Sequence, residues 1–144
     1  MQLIDQAPSV WQGRDDGRGA KRFFQAVQVL EYQQLSQQYD IALTGFCSDE
    51  GVKRNLGRPG AFDGPKVLRQ ALASFSVHNE FNIADLGDIQ CQDDNLELAQ
   101  AKLAALSEQL ALKNILSIAL GGGHEIAWGH GQGLFKAAFE QGKK

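Results

Sequence analysis

Cysteine is scarce in this sequence. Only two occur in 144 residues, Cys47 and Cys91, far apart and outside any C-x-x-C spacing. That pattern argues against a small secreted domain framed by disulfides. No apolar run approaches the roughly 18 residues that a membrane-spanning helix needs. The N-terminus, MQLIDQAPSV, lacks the basic stretch followed by an apolar one that marks a secretory signal. A basic stripe is missing too: lysine and arginine total 14 against 17 aspartates and glutamates, for a net charge of −3, and they are scattered along the chain. Neither nucleic acid nor an anionic membrane is therefore expected as a partner. What remains, 43% hydrophobic and 22% charged residues, is ordinary for a soluble globular protein, and the length suits one domain with one core. A cytoplasmic location is the default expectation.

The pattern divides near residue 40. WQGRDDGRGAKR, Trp11 to Arg22, is glycine-rich and charged and reads as a loop. Phe23, Val27 and Leu30 then recur at helical spacing toward Tyr39, so residues 1–40 are expected to form a loop and a short amphipathic helix. IALTGF, Ile41 to Phe46, is apolar without alternation, as in a strand buried on both faces. The segment CSDEGVKRNLGRPGAFDGPK follows; it is too long for a mere connection and is a candidate functional loop. Gly64-Pro65 is placed to open a helix, since proline at the first helical position loses no needed donor. Its expected buried face is Val67, Leu68, Ala71, Leu72 and Phe75.

A second strand is expected over Asn82 to Leu86, closed by a glycine turn. DDNLELAQAKLAALSEQLAL reads as a long helix capped by Asp93 or Asp94, with Leu96, Ala99, Leu103, Leu106 and Leu110 on one stripe. NILSIAL, Asn114 to Leu120, is a third apolar run, and Glu125 to Phe139 regains helical periodicity through Ile126, Ala127, Leu134 and Ala138. Residues 41–144 thus alternate strand and helix, which predicts an α/β fold with a parallel sheet and helices on both faces. Ligands on such sheets bind beyond the carboxyl ends of the strands. Both glycine-rich segments, after Phe46 and after Leu120, fall on that edge.

ALGGGHEIAWGH, Ala119 to His130, carries the most chemistry. Three successive glycines call for positive φ angles or close backbone approach. They lift His124 to the edge of the third strand, where an imidazole is open to two readings: a transition-metal ligand or a residue that packs the helix start. Glu125 reads as a carboxylate stabilised by the helix dipole. A phosphate loop fits poorly, because GGGHE matches neither GxxxxGK[ST] nor GxGxxG. Gly129, Gly131 and Gly133 require either an interrupted helix or another backbone lying close. His130 lies off the face of His124 and reads as a buried or solvated helix residue; His78 reads as a loop residue. A soft site of Cys47, Cys91 and His124 has no paired spacing to support it. On the long loop, Asp49, Asn55 and Arg58 offer groups suited to an amino-acid-like substrate. Arg58 serves equally well in tying down its own loop.

Taken together, GFCSDEGVKRNLGRPGAFDGPKVLRQAL, DLGDI and LGGGHEIAWGH, in that order, resemble the amino-terminal portion of the arginase, agmatinase and formimidoylglutamase family of ureohydrolases. WQGR, the NxGRxGA element at Asn55 to Ala61, and GGGHE in place of GGDHS are similar to its formimidoylglutamase branch. The resemblance implies a three-layer α/β/α fold and a binuclear manganese centre. It also implies hydrolysis of N-formimidoyl-L-glutamate to L-glutamate and formamide by a metal-activated hydroxide. It assigns a metal ligand to His124; Asn55 and Arg58 are expected as substrate contacts from the chemistry of the loop alone. The family's further ligands lie in DxHxD and DxD motifs that these 144 residues do not contain. The expectation is therefore one incomplete arginase-like domain, a truncated product or gene fragment, whose third strand is an exposed edge. That edge suits pairing with a missing carboxyl-terminal half or with a second copy. Two alternatives stay open: a non-catalytic interaction domain that pairs through the same edge, and a hydrolase of agmatine or a guanidino acid.

Overall fold

In the computed structural model, which describes all residues except 9, 10, 16, 18, 20, 79 and 144, the apolar runs form a four-stranded parallel sheet. The elements in chain order are α1 (Phe23–Ala26), β1 (Val27–Val29), β2 (Ile41–Cys47), α2 (Glu50–Arg54), α3 (Gly64–Leu72), β3 (Ile83–Gln90), α4 (Leu96–Leu112), β4 (Leu116–Leu120) and α5 (Ile126–Glu140). The strands lie in the order β1-β3-β2-β4, every pair parallel. The α/β class expected from the alternation is what forms.

The core lies between the sheet and α4. Leu96, Ala99, Leu103, Leu106 and Leu110 are all buried, as their spacing predicts, and pack on Ala42, Phe46, Ala84, Leu86 and Ile89. Each buried leucine contributes about 1.5–3 kcal/mol. The cap differs from expectation. Asn95, not Asp93 or Asp94, accepts the Leu98 N–H at 3.1 Å, while both aspartates take left-handed φ angles in the turn from β3. Short polar side chains tolerate that conformation.

Three expectations are overturned by tertiary packing. First, the helix expected from Phe23 toward Tyr39 is only the four-residue α1. Val27–Val29 then extends as β1, because the open edge of β3 offers ladder partners at Ile83, Ala84 and Asp85. The preceding loop, Trp11 to Arg22, lies partly outside the described residues, at 16, 18 and 20. Second, α5 turns inward Gly129, Gly133 and Ala137, while Ala127 and Leu134 are exposed. The helix is uninterrupted, so Gly129 and Gly133 answer to the other requirement: a Cβ at Gly129 would stand 2.8 Å from the Gln100 carbonyl of α4, whereas Gly131 faces open space and meets neither requirement.

Third, α3 does begin at Gly64-Pro65, but the apolar residues expected on its buried face are mostly outside. Val67 is 58% exposed and Phe75 59%, and Leu68 and Ala71 are exposed as well; the buried residues are Pro65 and Arg69. The cause lies in β3. Aspartates three apart on a strand ordinarily face opposite sides of a sheet. Here Gly87, at φ +101°, sits in a bulge, so Asp85 pairs with Leu43 and Asp88 with Gly45, and both carboxylates face α3. The turn expected at this glycine is therefore a bulge inside a longer strand.

Arg69 enters between the two acids. Its Nε and Nη2 donate to Asp85 at 2.7 and 2.9 Å, and its Nη1 donates to Asp88 at 2.6 Å. The Trp11 indole N–H gives Asp85 a further bond at 2.7 Å, which draws the amino-terminal segment onto the same cluster. Burial opposes the Arg69 charge, but the two carboxylates outweigh it and hold the guanidinium protonated.

Burial raises the Asp88 carboxyl above the usual carboxylate range, although Arg69 pulls it back. A carboxyl whose pKa is raised on folding stabilises the fold below the unfolded value, about 4, and that contribution is lost as pH climbs through the folded value. Asp88→Asn is therefore expected to lose less stability relative to the parent at pH 7.5 than at pH 4. Urea unfolding at the two pH values tests this, and an equal loss at both would refute it.

β4 is an edge strand, with Leu116 and Ile118 exposed on the face shared with α3. Among the described residues no helix is long and apolar enough to cross a membrane.

Candidate active site

The carboxyl ends of β2 and β4 carry the two glycine-rich segments, and backbone bonds join them. Gly122 N–H donates to the Phe46 carbonyl at 3.1 Å, and Gly123 N–H to the Ser48 carbonyl at 2.8 Å. None of Gly121, Gly122 and Gly123 takes a positive φ. Close approach explains them instead: a Cβ at Gly122 would stand 2.7 Å from the Ser48 carbonyl, and one at Gly123 would overlap the Glu125 carboxylate. The segment is a packed junction between two strands.

The loop after β2 is held from several sides. Asp49 accepts the Gly60 N–H at 2.9 Å and pairs with Lys53 at 3.0 Å, which closes the loop on itself; the Gly60 bond first, and Lys53 second, hold its carboxyl below the usual range. Arg54 bridges Glu50 at 2.9 Å and Glu97 at 2.5 Å, tying α2 to the first turn of α4. Glu125 reaches across the junction. Its Oε1 accepts from Ser48 Oγ at 2.9 Å and from Gly51 N–H at 3.1 Å.

Between these segments lies a hollow of about 210 Å³, lined by Gly51, Val52, Asn55, Gly57, His124 and Glu125. His124 and Asn55, almost seventy positions apart in sequence by their numbering, share its wall. Both are exposed. Arg58 lies on the same loop, exposed and outside the lining, and neither a loop tie nor an aspartate partner holds it among the described residues. His130 is elsewhere, half-buried on α5 with Nε2 3.2 Å from Ser117 Oγ, and burial lowers its pKa. Cys47 is buried beside Asp88, and burial first, then the Asp88 charge, pushes its thiol up to about 12. A thiol so placed stays protonated and is a poor metal ligand.

Among the described residues no three His, Cys, Asp or Glu side chains gather into a metal-binding group. The only carboxylate among the described residues that lines the hollow beside His124, Glu125, has Oε1 already committed to two donors. The residues present therefore do not by themselves fit a two-ion manganese centre.

Sequence reasoning singled out the loop, His124 and Asn55, and the structure places the two side chains on one hollow. That reasoning missed the cross-strand role of Glu125 and the whole Arg69–Asp85–Asp88 cluster. The latter left one legible trace. In DLGD, Asp85 to Asp88, a glycine between two aspartates inside an apolar strand is the mark of a bulge that turns both acids to one side.

A parallel sheet whose carboxyl edge carries a histidine on a glycine junction and a long polar loop defines a class that comparison identifies. The chain belongs to the arginase family, whose profile matches residues 39–143. Among curated relatives, formimidoylglutamase of Legionella pneumophila (strain Philadelphia 1) is 41% identical over 129 residues, which is 88% of this chain and 40% of the relative. Formimidoylglutamase of Chromobacterium violaceum is 44% identical over 131 residues, covering 89% and 41%. A crystal structure of Trypanosoma cruzi formiminoglutamase with Mn2+ superposes with a TM-score of 0.71 at 28% identity, over 83% of this chain and 41% of that one. The chain thus spans about 40% of the length of the curated relatives it matches.

Proposed function

We propose that this chain supplies the substrate-facing strand edge of a formimidoylglutamase, an enzyme that adds water to N-formimidoyl-L-glutamate and releases L-glutamate and formamide. The carrying observation is the shared hollow of His124 and Asn55 at the carboxyl edge of the sheet. In this reading His124 is one ligand of a binuclear manganese centre whose other ligands come from outside these 144 residues. Asn55 offers the substrate one donor and one acceptor, and Arg58, free to swing inward, pairs with its carboxylates. No catalytic step runs through the residues of this chain alone. A cytoplasmic setting accords with two free thiols, Cys47 and Cys91.

The β4 edge supports the assembly half of this proposal. Crossovers between parallel strands are right-handed. The β3-α4-β4 unit steps past β2 with α4 on one face, and α5 packs against α4 on that face. A parallel strand following α5 would therefore step the same way, onto the free edge of β4, and bring cover for Leu116 and Ile118. The same edge is the observation that favours the rival reading, a non-catalytic domain that pairs with another polypeptide.

The assay uses Mn2+ and N-formimidoyl-L-glutamate, with the chain alone and with a polypeptide supplying the rest of a family domain. Turnover is expected only in the mixture, and its absence from both defeats the proposal in favour of the interaction domain. In the active mixture Arg58→Ala is expected to raise KM about tenfold, the scale of one charge-assisted hydrogen bond. An unchanged KM removes Arg58 from the site.

A further inference from the structure

Among the described residues, Glu125 is the one charged residue lining the hollow to which the proposed function gives no task. Its plain role as a first-turn carboxylate would be to face the amides of its own helix. It does not cap α5; its carboxylate leaves that helix and bonds to the opposite loop. Two positions far from it in sequence, Ser48 and Gly51, and one close by, Gly123, are shaped to receive it. Ser48, fully buried, donates to Oε1 while its own oxygen accepts the Glu50 N–H at 3.2 Å. Gly51 gives its amide, and a Cβ there would stand 2.9 Å from the Glu125 side chain. Gly123 must lack a side chain because the carboxylate occupies the space where its Cβ would be. The backbone of Glu125 is fixed as well, since Gln100 Nε2 donates to its carbonyl at 2.9 Å from α4.

We propose that Glu125 is a positioning residue: it pins the start of α2, and with it Asn55, to the backbone that presents His124, and so sets the spacing of the two side chains across the hollow. The helix α2 begins at Glu50 and ends at Arg54, with Asn55 following as its cap residue. The first amides of a helix lack partners within it. Glu125 satisfies that of Gly51, and Ser48 that of Glu50, so the carboxylate decides where the short helix starts and therefore where Asn55 stands. Loss of the carboxylate removes the tie between α2 itself and the His124 segment. The backbone bonds from Gly122 to Phe46 and from Gly123 to Ser48 still hold the base of the loop, and Asp49 and Arg54 give lateral ties, but the start of α2 is free to shift. The functional meaning rests on the site proposed above; the geometry does not.

The test has two arms. In the 144-residue chain, amide hydrogen exchange at Glu50 and Gly51 is expected to accelerate about tenfold or more in Glu125→Ala and to return to within about twofold of the parent in Glu125→Gln, which keeps an acceptor oxygen in place. Should Glu125→Ala fail to fold, Ser48→Ala takes its place, with acceleration expected at Glu50. In the preparation that turns over N-formimidoyl-L-glutamate, Glu125→Ala is expected to raise KM about tenfold with a smaller fall in kcat, and Glu125→Gln to restore KM. Equal exchange in the parent and Glu125→Ala, or Gln behaving as Ala, overturns the inference. Failure of every variant, parent included, to turn over overturns the proposed function, and the exchange arm then still decides this one.

Discussion

Arg69→Leu is expected to destabilise the chain by about 3–5 kcal/mol, the cost of breaking a buried ion pair from one side. The substitution keeps an apolar stem of similar size, so packing loss is minor. It leaves Asp85, fully buried, and Asp88, 6% exposed, facing each other without a cation, and Trp11 bonded to an unneutralised carboxylate. Against a total stability of about 5–15 kcal/mol for a typical domain, that loss brings the fold close to its limit. The companion result is equally sharp. Phe75→Ser and Val67→Ser, which would be severe if these residues formed the inner face of α3, are expected to stay within about 0.5 kcal/mol, because both lie outside. Urea unfolding of the three variants checks the contrast. Were Arg69→Leu to cost under about 1 kcal/mol, the cluster would not be holding α3 to the sheet.

Two glycines in α5, two positions apart, are expected to respond to alanine with opposite signs. Gly133→Ala brings a methyl group into the backbone of α4 at Ala104 and to 2.8 Å from Ser107 Cβ. Neither atom is the mobile end of a long side chain, so the helices must separate, at a cost of about 1–3 kcal/mol for overpacking. Gly131→Ala meets open space. It is expected to stabilise by up to about 1 kcal/mol, because glycine gives up more backbone freedom than alanine in a helix interior. Thermal melts of both variants, run beside the parent, test the pair. Equal effects would mean that α5 does not approach α4 through its small residues.

Much of what surrounds the hollow is legible in the sequence, and for identifiable reasons. A long glycine-rich loop after a buried strand, and a histidine on glycines after another, both stand out, because unusual backbone demands are written in residue type. The two segments share the carboxyl edge of the sheet, as the alternation predicts, and the structure adds that His124 and Asn55 line one hollow there. Glu125 reads as a helix-dipole carboxylate from the sequence, because that role needs only sequence neighbours. Its observed partners, Ser48 and Gly51, lie on another strand's loop, and nothing in the local spacing points to them.

The amino-acid sequence by itself determined the order of the three strands from residue 41 onward and of the helices α3, α4 and α5, together with the stripe of α4 that enters the core, but not the short helix α2 inside the loop after β2. It did so because those features follow from periodicity, composition and residue type along the chain. Only the tertiary structure decided which faces of α3 and α5 turn inward, that Val27–Val29 would be a strand, and that Arg69 would be buried. Periodicity can mark an apolar face, but burial requires something opposite it. At α3 what stands opposite is a pair of carboxylates turned to one side by the bulge at Gly87, so a cation goes in and the apolar residues stay out.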